Sequence, residues 1–494
     1  MTEKRQRLFG TDAIILIVSC LLLYLSFHGL SQLVGVVSSR HVGFAMTGSF
    51  DNPGPYGGFV AVLLAVGASW TASVWREAWI DGWKRGPSLR IWMLRGMVAL
   101  SALACVCGAL VVAASWSRTA WAGLAVALLV FLLREKPLAV KIRPGSKSAA
   151  AIALILILLA AGAFLMKKDS ALGRLHIWHM EARVIAEYPF KGVGKEYYLG
   201  AYGDTQAEYF RVKDRPTLIR HVAGCPEYAF NEYLKYGMMY GIGGLLLSLA
   251  LAAGVISILL HGRSPFAYGA LVYVVFAFGS YPLNLWQFRL LGLALLAAAL
   301  LTMLKKHKIT FLTAAAVTMI LSPIVIVKTV KDEAARREIE DQVRYPGQLS
   351  AMGYYEEALE EYSHLTEEIE WDYRALYDYG YALFKTGRYA EAAEVLMHGS
   401  RLSSDPMFHV IAGRCLEEEG KKEEAEREYL HAHWMVPCRL YPLVLLMEMY
   451  GNDGRMAEAA AMRAEILSMP VNPRNAGMQD LHDRAQRYNP EEAQ

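Results

Sequence analysis

Cations and carboxylates set at the edges of apolar runs are the residues in this chain best placed to do chemistry. The polar interval 167–234 carries Arg174, Arg183, Arg211, Arg215, Arg220 and His221 beside Glu181, Glu187, Glu196 and Glu227. Apolar runs of membrane length flank it on both sides. A polar loop tethered at a bilayer surface and crowded with cations is a natural place to meet an anionic, lipid-linked substrate. A further cation, Arg118, stands in the corner Ser115-Trp116-Ser117-Arg118-Thr119-Ala120-Trp121 between two apolar runs. An arginine there either snorkels to the surface or holds an anion, and its guanidinium fork matches phosphate oxygens. The residues alone leave both readings open. The interval ends in Ala229-Phe230-Asn231-Glu232-Tyr233-Leu234, which runs directly into the next apolar stretch. Asn231 and Glu232 fall at its outer mouth. Glu232 is the carboxylate nearest such a site, or a plain cap on the helix end.

The local pattern places these residues on short elements. Gly173-Arg174-Leu175-His176-Ile177-Trp178 opens an amphipathic helix with Trp178, Ala182, Ile185 and Ala186 on one face. Pro189 ends it and Gly192-Val193-Gly194 makes a turn. His176 and His179 are three residues apart, but no third ligand stands at useful spacing. They read as unexceptional interfacial histidines, and no metal is expected. The passage 202–220 is charged and aromatic and reads as solvated. Earlier, Asn52-Pro53-Gly54-Pro55 forces a turn, read as a tight re-entry into the next span. Six cysteines show no CxxC and no zinc-ligand spacing, and Cys105 and Cys107 read as packing residues.

The elements that must carry these residues are apolar. The chain is 54% hydrophobic over 494 residues, with a mean hydropathy of +0.24. A net charge of +3 gives no reason to expect nucleic acid. Nine candidate spans stand at 11–36, 57–75, 91–114, 119–134, 148–166, 236–261, 266–283, 287–304 and 309–329. The first follows MTEKRQRLFG and is too long for a signal-peptide core, so it reads as a retained span. Basic residues fall in alternate loops: the N-terminus, 76–90, 134–147, 262–265 and 305–308. One orientation satisfies all five, with the N-terminus cytoplasmic and the C-terminal part outside. Gly243-Gly244 suggests close helix packing in the sixth span.

After residue 330 the composition turns polar. Gly353, Gly387, Gly420 and Gly454 are spaced by 34, 33 and 34, and each is followed five residues on by Ala358, Ala392, Ala425 or Ala459. This is the period of a tetratricopeptide helix–turn–helix array. The expected fold is therefore all-α. Residues 1–330 form a polytopic helical membrane domain of about nine spans with a large outer loop at 167–234. Residues 331–494 form a tetratricopeptide-type α-solenoid with repeats over about 337–472.

Three stretches together resemble the O-antigen ligase and O-antigen polymerase superfamily: SRTAW, GRLHIWHMEARVIAEYPFKGVG and FNEYLKYGMMYGIGG, with GSFDNPGPYGGF upstream. The resemblance covers about 40–330, and some members also carry a periplasmic tetratricopeptide tail. It implies metal-independent, cofactor-free glycosyl transfer at the outer face of the bacterial inner membrane, from a glycan on undecaprenyl pyrophosphate. The acceptor would be lipid A core, a growing polysaccharide or a protein. Arg118 and Arg174 match the arginines that hold the donor diphosphate, with Asn52 and Asn231 in support. Two departures stand out. Phe230 occupies the place where ligases carry a histidine before the asparagine, so either His221 or Glu232 substitutes as the catalytic group or no base is needed there. The family also has about a dozen spans, which implies a short member or a start codon placed late. Membrane lipids, and a protein partner on the repeats, complete the expected contacts. The alternative is a membrane-anchored tetratricopeptide scaffold for envelope assembly. A transporter ranks last, since the spans show neither internal symmetry nor charges at mid-depth.

Overall fold

The computed structural model describes residues 2–81, 88–135, 168–212, 216–261, 264–304, 310–471 and 475–488. The candidate span 148–166 lies outside the described residues, as do Arg215 and most of the basic residues of the inner loops (Lys84, Arg85, Lys136, Lys141, Arg143, Lys147, Arg263, Lys305, Lys306 and Lys308). Among the described residues the protein is all-α, with no strand. It divides into two compact units. One comprises 1–168, 230–233 and 246–331, and the other 169–229, 234–245 and 332–494.

Asp12–Leu33, Pro53–Asp81 and Leu89–Ala114 of the first unit, and Glu232–His261, which belongs to it apart from 234–245, are long and apolar enough to cross a membrane. Phe266–Ala277 and Trp286–Ala298 are shorter apolar helices, and Arg118–Glu135 is a further apolar one. The long helix Thr310–Met352 takes up the last candidate span. The core is built where Thr2–Leu33 and Pro53–Arg76 pack on Leu89–Ala114, and where Phe266–Ala277 lies against Pro53–Arg76 and Arg118–Glu135. Leu22, Tyr56, Val60, Val111, Val272, Phe276 and Phe288 fill it. Small residues let the backbones approach. A Cβ at Gly57 would meet the Ser115 hydroxyl, and one at Gly58 would meet the Phe276 ring. Gly243 does not serve this purpose: it faces open space, and the atoms nearest a Cβ at Gly244 belong to Tyr240 and Tyr236, one and two turns back along its own segment. The chain breaks helical geometry at Gly241 (φ 71°), and this local break accounts for the glycine-rich stretch.

The second unit holds the C-terminal helices and most of the polar interval. Helices run in order from Tyr355–Ser363 through Tyr373–Lys385, Tyr389–Ser400, Met407–Glu418, Lys422–Met435, Tyr441–Asn452 and Met456–Ser468 to Ala476–Arg487. Gly353, Gly387, Gly420 and Gly454 all stand at a positive φ, between 73° and 87°, where a side chain would be strained. Ala358, Ala392, Ala425 and Ala459 are each 0% exposed at the contact of neighbouring helices.

Helices Lys168–Glu187, Tyr198–Arg211 and Thr217–Val222 belong to the same unit. Tyr198–Arg211 packs on Lys422–Met435. A Cβ at Gly200 would run into the backbone carbonyl of Arg401, so only glycine lets the helix lie this close. The passage 202–220 is therefore not solvated throughout. Tyr202, Gln206, Ala207 and Phe210 are buried, because the C-terminal helices cover the aromatic face. Lys168–Glu187 buries only part of the face expected of it. Ile185 is buried and Trp178 half-buried, but Ala182 and Ala186 are exposed, and the covered side turns toward His176, Met180, Glu181 and Val184.

Candidate functional site

The corner before Arg118 is the most constrained backbone in the first unit. Trp116 has φ +52°, the one non-glycine residue with positive φ among the described residues. That conformation costs a bulky residue about 1–2 kcal/mol. Neighbouring contacts hold it in place. The Ser115 hydroxyl donates to the Val112 carbonyl at 2.8 Å, Ser117 N–H donates to Ser115 Oγ at 3.3 Å, and Trp121 Nε1 donates to the same Val112 carbonyl at 2.9 Å. Trp116 itself is exposed, its ring 6.0 Å from that of Trp121. The result is a sharp reversal that makes half-buried Arg118 the first residue of helix Arg118–Glu135. A guanidinium beside unsatisfied N-terminal backbone N–H groups concentrates positive charge, which suits an anion.

The mouth of helix Glu232–His261 lies in the same unit. Asn231 is buried and its Oδ1 accepts the Tyr233 N–H at 3.0 Å, the geometry of a helix cap. Glu232 is 2% exposed, and its Oε1 accepts the Leu283 N–H at 2.6 Å. The Leu283 carbonyl in turn accepts from Arg289 Nε at 2.7 Å. The turn Pro282–Asn284 is thus gripped through both backbone polar groups of Leu283, by a carboxylate at its N–H and a guanidinium at its carbonyl. Phe230, at the place of the expected histidine, sets its ring edge-on to Tyr281 at 5.5 Å. Arg289 was not anticipated. Its signal was the same as that of Arg118, an arginine at the end of an apolar run, but it lay hidden inside the candidate span 287–304. Asn52 caps helix Pro53–Arg76, accepting the Gly54 N–H at 2.8 Å, with its side chain exposed.

Arg174 and His221 belong to the second unit. Arg174 is half-buried in the second turn of Lys168–Glu187. Its neighbour Gly173 abuts the Val222 carbonyl, 3.3 Å from where a Cβ would sit, so this turn lies against the end of Thr217–Val222, where His221 is exposed. Behind Arg174, His176 is buried rather than interfacial. Its Nε2 bonds Gln206 Oε1 at 2.9 Å, and Tyr202 donates to the same oxygen at 2.8 Å. Gln206 Nε2 donates to the carbonyls of Gly224 and Met435. Burial pushes His176 down to about 4, so the ring is neutral near pH 7 and acts as a hydrogen-bonding strut. His179 is exposed, with its ring against Tyr209 at 5.8 Å. Elsewhere in the unit, Asp204, His409 and His431 bring ligand atoms within 4.8 Å of one another.

Residues 103–249 match the O-antigen ligase family model (Wzy_C). No curated protein matches the chain. The matched stretch contains Arg118, Arg174, His221, Asn231 and Glu232, and stops short of Asn52, Arg289 and the C-terminal helices. The match and the long apolar helices identify a membrane protein and point to O-antigen ligase-like glycosyltransferase activity.

Proposed function

We propose that the protein is a multi-pass enzyme of the bacterial inner membrane that moves a glycan from undecaprenyl pyrophosphate to an acceptor at the periplasmic face. The acceptor is lipid A core, a growing polysaccharide or a protein. The N-terminus is cytoplasmic, and the C-terminal helices are a periplasmic tetratricopeptide array. The observation that carries this reading is Arg118, set at a helix N-terminus by a strained corner inside the stretch that matches the ligase family.

In the reaction, an acceptor hydroxyl oxygen bonds to the anomeric carbon while the bond from that carbon to the pyrophosphate oxygen breaks. The undecaprenyl pyrophosphate leaves with the electron pair, and the hydroxyl proton passes to a base. Arg118 and Arg174 hold the donor diphosphate, and their charge stabilises the leaving group as it forms. Glu232 or His221 receives the proton or orients the hydroxyl, in place of the histidine that Phe230 replaces. Asn231 and Asn52 support the site as helix caps. No cofactor enters the transfer.

The test is complementation of cells lacking the protein with wild type, Arg118→Ala or Arg174→Ala, following lipid-linked and acceptor-linked glycan on gels. Accumulation of lipid-linked glycan at normal protein level in either variant supports the reading. If both variants transfer glycan as wild type does, the arginines only snorkel and a scaffold role replaces the enzymatic one.

A further inference from the structure

We propose that Asp204, His409 and His431 form a zinc site that fastens helix Tyr198–Arg211 of the polar interval to the helix pair Met407–Glu418 and Lys422–Met435. The three ligand atoms come from three helices of one compact unit and lie within 4.8 Å of one another. A tetrahedral zinc with bonds near 2.0–2.1 Å holds its ligands about 3.4 Å apart. His431 Nε2 and Asp204 Oδ1 are already 3.0 Å apart, and the two imidazole rings stand 4.4 Å from centroid to centroid. The Asp204 side chain is two-thirds exposed, which leaves it room to turn toward a metal held by the two imidazoles.

The surroundings favour a metal over a bare ion pair. His409 is buried, and its Nδ1 stands 2.7 Å from Glu428 Oε2. A carboxylate on Nδ1 fixes the tautomer with the proton there and leaves the Nε2 lone pair for a metal, the usual support for a ligating histidine. At His431 the proton shared with Asp204 sits where the cation would. On loading, the neutral ring keeps its proton by moving it to Nδ1, so no charge is stranded. Two imidazoles and one carboxylate suit zinc among the common divalent ions, and an exposed Asp204 leaves the fourth position to water. The spacing of these residues along the chain, 204, 409 and 431, has no local motif, so no sequence pattern announces the site. The role is structural, and the site takes no part in the chemistry of glycan transfer.

The experiment uses the full-length protein in detergent, stripped with chelator and titrated with Zn²⁺ by calorimetry and with Co²⁺ by visible absorption. One equivalent of Zn²⁺ should bind, with Co²⁺ giving the intense bands of a four-coordinate site. His431→Ala should abolish both signals and Asp204→Asn should weaken binding at least tenfold. Glu428→Gln should weaken it about 10–100-fold through the His409 tautomer. Exposed His364→Ala is the control and should bind as wild type. Zinc should also slow hydrogen exchange across 198–211. Binding that is absent from wild type, or unchanged in Asp204→Asn and His431→Ala, overturns the site and leaves a metal-free His431–Asp204 hydrogen bond. Asp204 is exposed, so its variant folds whether or not the histidine variants do.

Discussion

Glu232 can be a proton acceptor or only an anchor, and a single isosteric change separates the two. Its Oε1 accepts the Leu283 N–H at 2.6 Å inside a site where it is 2% exposed. In Glu232→Gln the amide oxygen can take the same hydrogen bond, so the Pro282–Asn284 turn stays in place. The negative charge and the proton affinity disappear. If Glu232 takes the acceptor proton, turnover should fall by about 10²–10⁴ while thermal stability changes little. Glu232→Ala removes the anchor as well. The half-buried Leu283 N–H then loses its acceptor, which costs about 1–3 kcal/mol. The alanine variant should therefore lose both activity and several degrees of Tm, and the glutamine variant activity alone. The assay is transfer from a purified lipid-linked glycan to acceptor in detergent, alongside thermal unfolding of the same samples. Full activity in Glu232→Gln would refute the proton-acceptor role and move it to His221, which is exposed at the end of Thr217–Val222.

Acid should loosen the second unit through two buried histidines. Burial holds His176 and His433 down to about 4, and Arg220 adds to the effect at His433. Because both folded values lie below the unfolded one of about 6.5, their stability contribution is complete above that pH and fades as pH falls toward 4, by roughly 2–3 kcal/mol for each. Unfolding followed from pH 7.5 to 4.5 should show a smaller loss in His433→Gln than in wild type, and an equal loss would refute the assignment. Gly200→Ala should destabilise the packing of Tyr198–Arg211 by about 1–3 kcal/mol, since its Cβ meets the rigid Arg401 carbonyl. Gly243→Ala, in open space, should be neutral or gain up to about 1 kcal/mol, and limited proteolysis with thermal melts distinguishes the two.

What could be read in advance was local. The turn glycines at 353, 387, 420 and 454 announce their positive φ, and the alanines five residues on announce their burial, because one residue type suffices for each. The four long apolar helices follow from composition in the same way. What could not be read depends on partners far along the chain. His176 lies on the buried face of its helix because Gln206 satisfies it, and a periodicity count that scores only apolar residues rotates the face away from it. Residues 202–210 look solvated until Arg401, Ser404 and Met435 are laid over them. Glu232 was legible as a helix-end carboxylate, but its partner Leu283 and the Arg289 behind it were not.

The cover that the C-terminal helices give to the polar interval bears on why they are there. Ordering a free loop costs about 1–2 kcal/mol per residue in backbone entropy alone, and this loop has too few apolar residues to offset that by itself. The second unit supplies the difference with specific contacts. Glu227 pairs with Arg374 at 2.7 Å, Ser404 donates to the Pro226 carbonyl at 2.9 Å, Arg439 donates to Cys225 Sγ at 3.1 Å, and Gln206 reaches the Met435 carbonyl. Arg220 and His433 converge on Glu465 at 3.7 and 3.6 Å. The exposed Glu227–Arg374 pair contributes little by itself. Buried Tyr202, Ala207 and Phe210 and the Gln206 network carry the stabilisation. The C-terminal helices engage Tyr198–Arg211, whose Gln206 bonds His176 on the helix of Arg174, so they act as a positioning element for Arg174. Damage to these helices should therefore act on transfer through the loop, even where none of their residues touches substrate.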